Sequence, residues 1–109
     1  MKEVIASTLI LFSALPSWAD FNCRLFYEGV DQGDAISVRE NGTCERGNGY
    51  HVAYYTLTVS DDKAVFTCIN KFQHSWFPDA LEIEIRNGQA KMKEYDRGQW
   101  RQGSEIRCR

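Results

Sequence analysis

From Phe21 onward, hydrophobic and polar positions alternate with a period of two. Phe21, Cys23, Leu25 and Tyr27 share one parity, with Asn22 and Arg24 on the other, which predicts a strand. Residues 28–34 hold two glycines and two aspartates and predict a turn. Ile36 and Val38 begin a second short strand, with Leu25 expected opposite Val38. Asn41-Gly42 and then Arg46-Gly47-Asn48-Gly49 predict a loop around Cys44. Residues 50–60 form the longest β run, with Ala53, Tyr55, Leu57 and Val59 on one face. A turn at Asp62-Lys63 would return the chain over residues 64–70, setting Val59 opposite Phe66 and Leu57 opposite Cys68.

The pattern breaks over 71–79 and resumes with Leu81, Ile83 and Ile85. Asn87-Gly88 follows, a strong hairpin signal because a type I′ turn needs positive φ at both central positions. A two-residue turn there pairs Ile85 with Ala90 and Ile83 with Met92, and sets Glu84 and Glu82 opposite Lys91 and Lys93. Residues 95–103 read as a polar, aromatic loop or irregular strand, and Ile106 and Cys108 belong to a final strand. No segment of ordinary length after the first twenty residues has a helical period. The expected fold is all-β: a small antiparallel β-sandwich or partly open barrel of about six or seven strands.

The beginning of the chain reads differently. Met1-Lys2 precedes an apolar stretch over residues 4–15, Pro16 ends it, and Ser17-Trp18-Ala19 sets small residues at −3 and −1 of a cleavage site before Asp20. Residues 1–19 are therefore expected to be a signal peptide and 20–109 a single domain. The stretch is shorter than the roughly 20 apolar residues of a spanning helix, so no membrane anchor is expected after cleavage. The implied location is extracellular or periplasmic.

A chain of 90 residues has a marginal core. Its four cysteines, Cys23, Cys44, Cys68 and Cys108, then suggest two disulfides in an exported domain. Three connectivities exist. The expected one is Cys23–Cys44 with Cys68–Cys108, since it joins segments close in sequence; Cys23–Cys108 with Cys44–Cys68 would instead clamp the termini together. Neither C-x-x-C spacing nor a histidine close to a cysteine suggests a metal, and no cofactor is expected.

His51 and His74 are the only histidines. They are the candidate acid and base of a ribonuclease-like hydrolase. No G-x-S-x-G and no phosphate-binding loop is present. Residues 72–79 cluster Phe72, His74, Trp76 and Phe77, with Pro78 at the exit. Exposed aromatics there would anchor a protein partner or stack on a sugar, whereas buried ones would plug the open end of the β core.

Charge is uneven. Residues 20–62 carry eight acidic and three basic side chains, and residues 63–109 six and nine, among them Arg97 and Arg101. This suggests charge pairing between the halves or, failing that, a cationic patch for an acidic partner. A net charge of −2 argues against nucleic acid. Asn41-Gly42-Thr43 matches an N-glycosylation site in a host that has the machinery.

The composition therefore points to a small exported, non-enzymatic binding protein that engages a protein partner through loops on a rigid β scaffold. Its expected binding residues are His74, Trp76, Phe77, Trp100, Arg97 and Arg101. Carbohydrate binding through Trp76 or Trp100 is the variant of this reading, and a hydrolase using His51 and His74 the alternative to it.

Overall fold

The computed structural model describes residues 20–71 and 77–109. The expected signal peptide, His74 and Trp76 lie outside these residues. The described chain has nine antiparallel strands: β1 (Phe21–Tyr27), β2 (Val30–Arg39), β3 (Thr43–Gly47), β4 (Val52–Val59), β5 (Val65–Asn70), β6 (Ala80–Arg86), β7 (Gln89–Asp96), β8 (Gln99–Gln102) and β9 (Glu105–Cys108). They form one sheet in the order β8-β7-β6-β5-β4-β3-β2-β1-β9. The sheet curls into a half-barrel, so the expectation of a sandwich gives way to that of a partly open barrel.

β8 and β9 stand at opposite ends of that order, yet only Gly103 and Ser104 separate them in the chain. The chain thus crosses from one margin of the sheet to the other at this point. The Gly103 N–H donates to the Met92 carbonyl at 2.9 Å. A Cβ on Gly103 would lie 2.8 Å from Met92 Cε and 3.1 Å from Met92 O, so a side chain here would require Met92 to give way.

The meander places turns at two ends. At the upper end are the turns at 28–29, 48–51 and 97–98, with Lys71 and residues 77–79. At the lower end are those at 40–42, 60–64 and 87–88, together with Asp20 and Arg109. Three upper and lower hairpins use one device, a pair of positive φ angles: Glu28 and Gly29 (50° and 81°), Asn87 and Gly88 (54° and 76°), Arg97 and Gly98 (53° and 80°).

Inward parity builds the core. Leu25, Ile36, Val38, Tyr55, Phe66, Leu81, Ile83 and Met92 are buried together, and Phe21 meets Phe66 edge-on across the interior, ring centres 5.0 Å apart. The β6–β7 register is the one the sequence predicts, from Arg86 opposite Gln89 to Glu82 opposite Lys93. Leu57 faces Cys68 and Val59 faces Phe66, also as predicted.

Several expectations are corrected. There are nine strands rather than six or seven. Residues 43–47, read as a loop, form β3, whose inward positions are Cys44 and a charged Arg46. Residues 99–102 form β8, all exposed and so without an apolar parity to read. The strand starting near Ile36 begins at Val30, because only Glu28 and Gly29 turn. Phe21, not Leu25, faces Val38, because the chain turns at Glu28-Gly29 rather than across residues 28–34; the irregularity between Arg24 and Phe26 recovers only part of the difference.

The disulfides are Cys23–Cys108 and Cys44–Cys68, not the expected pairs. Closeness in sequence is overruled by closure of the sheet: β9 returns beside β1 with Cys108 directly opposite Cys23. Cys44 and Cys68 lie two strands apart, on either side of β4. A flat sheet would separate their Cα atoms by about 9.5 Å, twice the usual strand spacing. The curl brings them to 6.1 Å. Two disulfides fit an oxidising compartment.

Candidate functional site

The upper end holds an ionic cluster turned inward. Arg46, on the interior face of β3, is 8% exposed. Its Nε and one terminal nitrogen donate to Asp34 Oδ2 at 3.2 and 3.0 Å, and its other terminal nitrogen to Glu94 Oε2 at 3.0 Å. The cluster joins β2, β3 and β7 across the interior. Burial alone would push the Arg46 pKa down; the hydrogen bonds and charges of Asp34 and Glu94 outweigh it, and the net shift is upward. Asp34 Oδ1 is buried with no hydrogen-bond partner among the described residues.

Phe77 and Pro78 cap this cluster. Phe77 is buried, and the Arg46 guanidinium carbon lies 5.3 Å from its ring centre. The Tyr55 hydroxyl, inside the barrel, donates to the Pro78 carbonyl at 3.1 Å, and Asn70 Nδ2 reaches the same oxygen at 3.4 Å. Burial pushes the Tyr55 pKa up, so the hydroxyl keeps the proton it donates. The cluster thus sets one cation against two carboxylates, of which Asp34 is mostly buried and Glu94 partly exposed. It holds an end of the barrel shut.

The residues singled out from sequence divide accordingly. Phe77 plugs the core and is not a surface anchor. Trp100 is 45% exposed on β8 and meets Tyr95 edge-on at 5.3 Å. Arg97 and Arg101 are exposed at the tip and on the strand beside it. His51 is half-buried in the upper turn, where its carbonyl accepts from the Asn48 N–H at 3.2 Å. His74 and Trp76 lie outside the described residues, so the His51–His74 pair has no geometry to weigh; the flanking Lys71 and Phe77 stand at the same end as His51. Among the described residues, no three His, Cys, Asp or Glu side chains gather as a metal site.

The outer surface of this end is unusually apolar. The large hydrophobic side chains that are exposed among the described residues are Tyr27, Val30, Tyr50, Val52, Tyr54, Ile69 and Trp100. Each stands in an upper turn or in the upper half of its strand. Trp100, Tyr95, Ala80 and Ile69 lie in one cross-strand row, each directly opposite the next. Tyr54 adjoins that row, its carbonyl accepting from the Lys71 N–H at 3.0 Å. Scattered exposed apolar residues need no explanation, but a collection confined to one end of a small domain does.

The uneven charge of the two halves is partly paired across the fold. Arg46 reaches Glu94, and Arg86 reaches Asp62 at 3.0 Å. Asp34, Arg46 and Glu94 were not singled out from sequence. An arginine at an inward parity position of β3 is the signal that could have found them, but it required β3 to be read as a strand. Compared with known proteins, the chain matches no family model, no curated protein and no solved structure.

Proposed function

We propose that this is a small exported, non-enzymatic binding protein, active outside the cell or in a periplasm, which engages a protein partner through the upper end of its half-barrel. One observation carries the reading: the exposed large hydrophobic side chains of the described residues are all at that end. Exposed Tyr and Trp supply large contact areas at low entropic cost. Two disulfides and the buried Arg46 cluster hold the strands that present them. Arg97 and Arg101 beside Trp100 favour a partner with acidic groups at its rim.

The test is capture from the native extracellular or periplasmic fraction, with the oxidised chain from Asp20 onward as bait. A partner held by the wild type and by the His51→Ala/His74→Ala variant, but lost with Trp100→Ala/Ile69→Asp, is the expected result. Retention by the surface variant would overturn the reading. Hydrolysis of RNA or another substrate that disappears with His51→Ala would replace it by the hydrolase.

A further inference from the structure

The lower end carries a cleft of about 550 Å³ at the place where the margins of the sheet part. β8 pairs with β7 over residues 93–96, and Gly103 holds on to Met92. Below that point residues 89–91 run on beside β6, while β9 pairs with β1; β9 still lies near β7, and the two part only toward Cys108 and Arg109. The cleft opens between Gly88 and Ala90 on one side and Arg107, Cys108 and Arg109 on the other.

One wall is an open strand edge. Asn22 and Arg109 exchange both N–H···O bonds, each 2.9 Å. The alternation of an antiparallel ladder then turns Arg107 and Glu105 toward β1 as well. It turns the N–H and C=O groups of Ile106 and Cys108 the other way. Among the described residues no strand pairs with β9 on that side. Such an edge is a template for another strand.

The walls also specify side chains. The apolar lining comes from Phe21, Phe66, Ile85 and Ala90, and the cationic part from Lys63, Arg107 and Arg109; the lining holds no acidic side chain. Ile106 and Cys108 turn their side chains inward, while Arg107 and Arg109 are exposed on the outer face. A strand laid against β9 would alternate in the same way. Its inward residues would meet the apolar lining and its outward residues Arg109 and Arg107, the latter stacked on Phe26 and paired with Glu105 at 3.1 Å, a pairing that a ligand carboxylate would share.

We propose that this cleft binds an extended peptide of alternating apolar and acidic residues, which adds as a strand to the open edge of β9. The affinity comes from main-chain bonds to Ile106 and Cys108, and the selectivity from the pockets and the arginines. The site is separate from the upper-end surface and does not depend on it.

The probe is acetyl-Val-Glu-Val-Glu-Val-Glu-amide, followed by calorimetry and by amide exchange of the oxidised protein. A copy with lysine for glutamate and a copy N-methylated at each valine should each bind about tenfold more weakly or less. Exchange at the Ile106 and Cys108 amides should slow about tenfold on saturation. Arg107→Glu, an exposed change, should weaken the acidic peptide about tenfold, while Trp100→Ala should leave it unchanged. Equal binding of the lysine copy, equal binding of the N-methylated copy, or unaltered exchange at both amides would overturn the proposal. So would displacement of the peptide by dodecanoate at equal concentration, which would assign the cleft to an acyl carboxylate.

Discussion

The two ends of the half-barrel close their interiors by different means. The upper end is filled by Arg46, Asp34 and Glu94 and covered by Phe77 and Pro78. The lower end is held covalently by Cys23–Cys108 and is left partly unfilled, with Phe21, Phe66 and Ile85 lining an open cleft. Taking a guanidinium and two carboxylates out of water costs several kcal/mol each, and their mutual attraction roughly offsets this only when the geometry is good. The upper end therefore gains definition more than stability. A disulfide acts mainly on the unfolded chain and leaves the native interior free to stay open.

The comparison is broken most severely by removing the covalent closure. Cys23–Cys108 spans 85 residues and Cys44–Cys68 spans 24. Chain entropy assigns the longer loop about 4.5 kcal/mol and the shorter about 3.5 kcal/mol. Cys23→Ala/Cys108→Ala should therefore cost more than Cys44→Ala/Cys68→Ala in urea unfolding, and should release β9 from β1. A larger loss for the shorter loop would mean that the curl beneath β4, not the closure at β9, governs the fold.

At the upper end, Arg46→Met leaves Asp34 and Glu94 facing each other without their cation. A cost of about 3 kcal/mol is expected. Adding Asp34→Leu and Glu94→Leu should recover most of it, since an apolar trio removes the uncompensated charges. If the triple variant is no more stable than Arg46→Met, the cluster does not act as an ionic unit. Between the ends lies the crossing at Gly103. Gly103→Ala drives a methyl against Met92 and should cost about 2 kcal/mol as overpacking; a neutral outcome would show the margin of the sheet to be looser than the Gly103–Met92 bond implies.

The difference between the ends also decided what the sequence disclosed. Apolar alternation marks the strands whose inward residues are all hydrophobic, and it made β6 and β7 legible to the residue because Asn87-Gly88 set their register. β3 was missed since its second inward residue is Arg46, which looks like a loop until Asp34 and Glu94 arrive from distant strands. β8 reads from sequence only as a loop or irregular strand, since its residues are all exposed and its flanking turn Arg97-Gly98 takes the same positive φ pair without an asparagine to announce it. The disulfide pairing depends on β9 lying beside β1, a contact between the two extremes of the domain with no local signal. At the upper end the aromatic character of Tyr50, Tyr54 and Trp100 is legible in the sequence, whereas Ile69 joins Tyr54 and Trp100 only through the pairing of β5 with β4 and β6.

The smallest effect concerns the lower end in acid. Asp62 accepts from Ser60 Oγ at 2.6 Å, the Ala64 N–H at 3.1 Å and Arg86 at 3.0 Å. These bonds, Ser60 first, lower its pKa from the ordinary 3.8 to about 2. A carboxyl held low in the folded state contributes stability that is fully present above its unfolded pKa and is lost as pH falls through the folded value. Unfolding followed from pH 5 to pH 2 should therefore show a decline that Asp62→Asn reduces, with the Asp62→Asn and wild-type curves converging at the acid limit. Because Asp62 and Arg86 join the turns at 60–64 and 86–89 that frame the cleft, the same titration should loosen the lower end before the upper one. Amide exchange at Ala64 rising ahead of that at Asn70 would register that order; the reverse would mean that the buried cluster around Arg46, rather than the open cleft, is the weaker closure in acid.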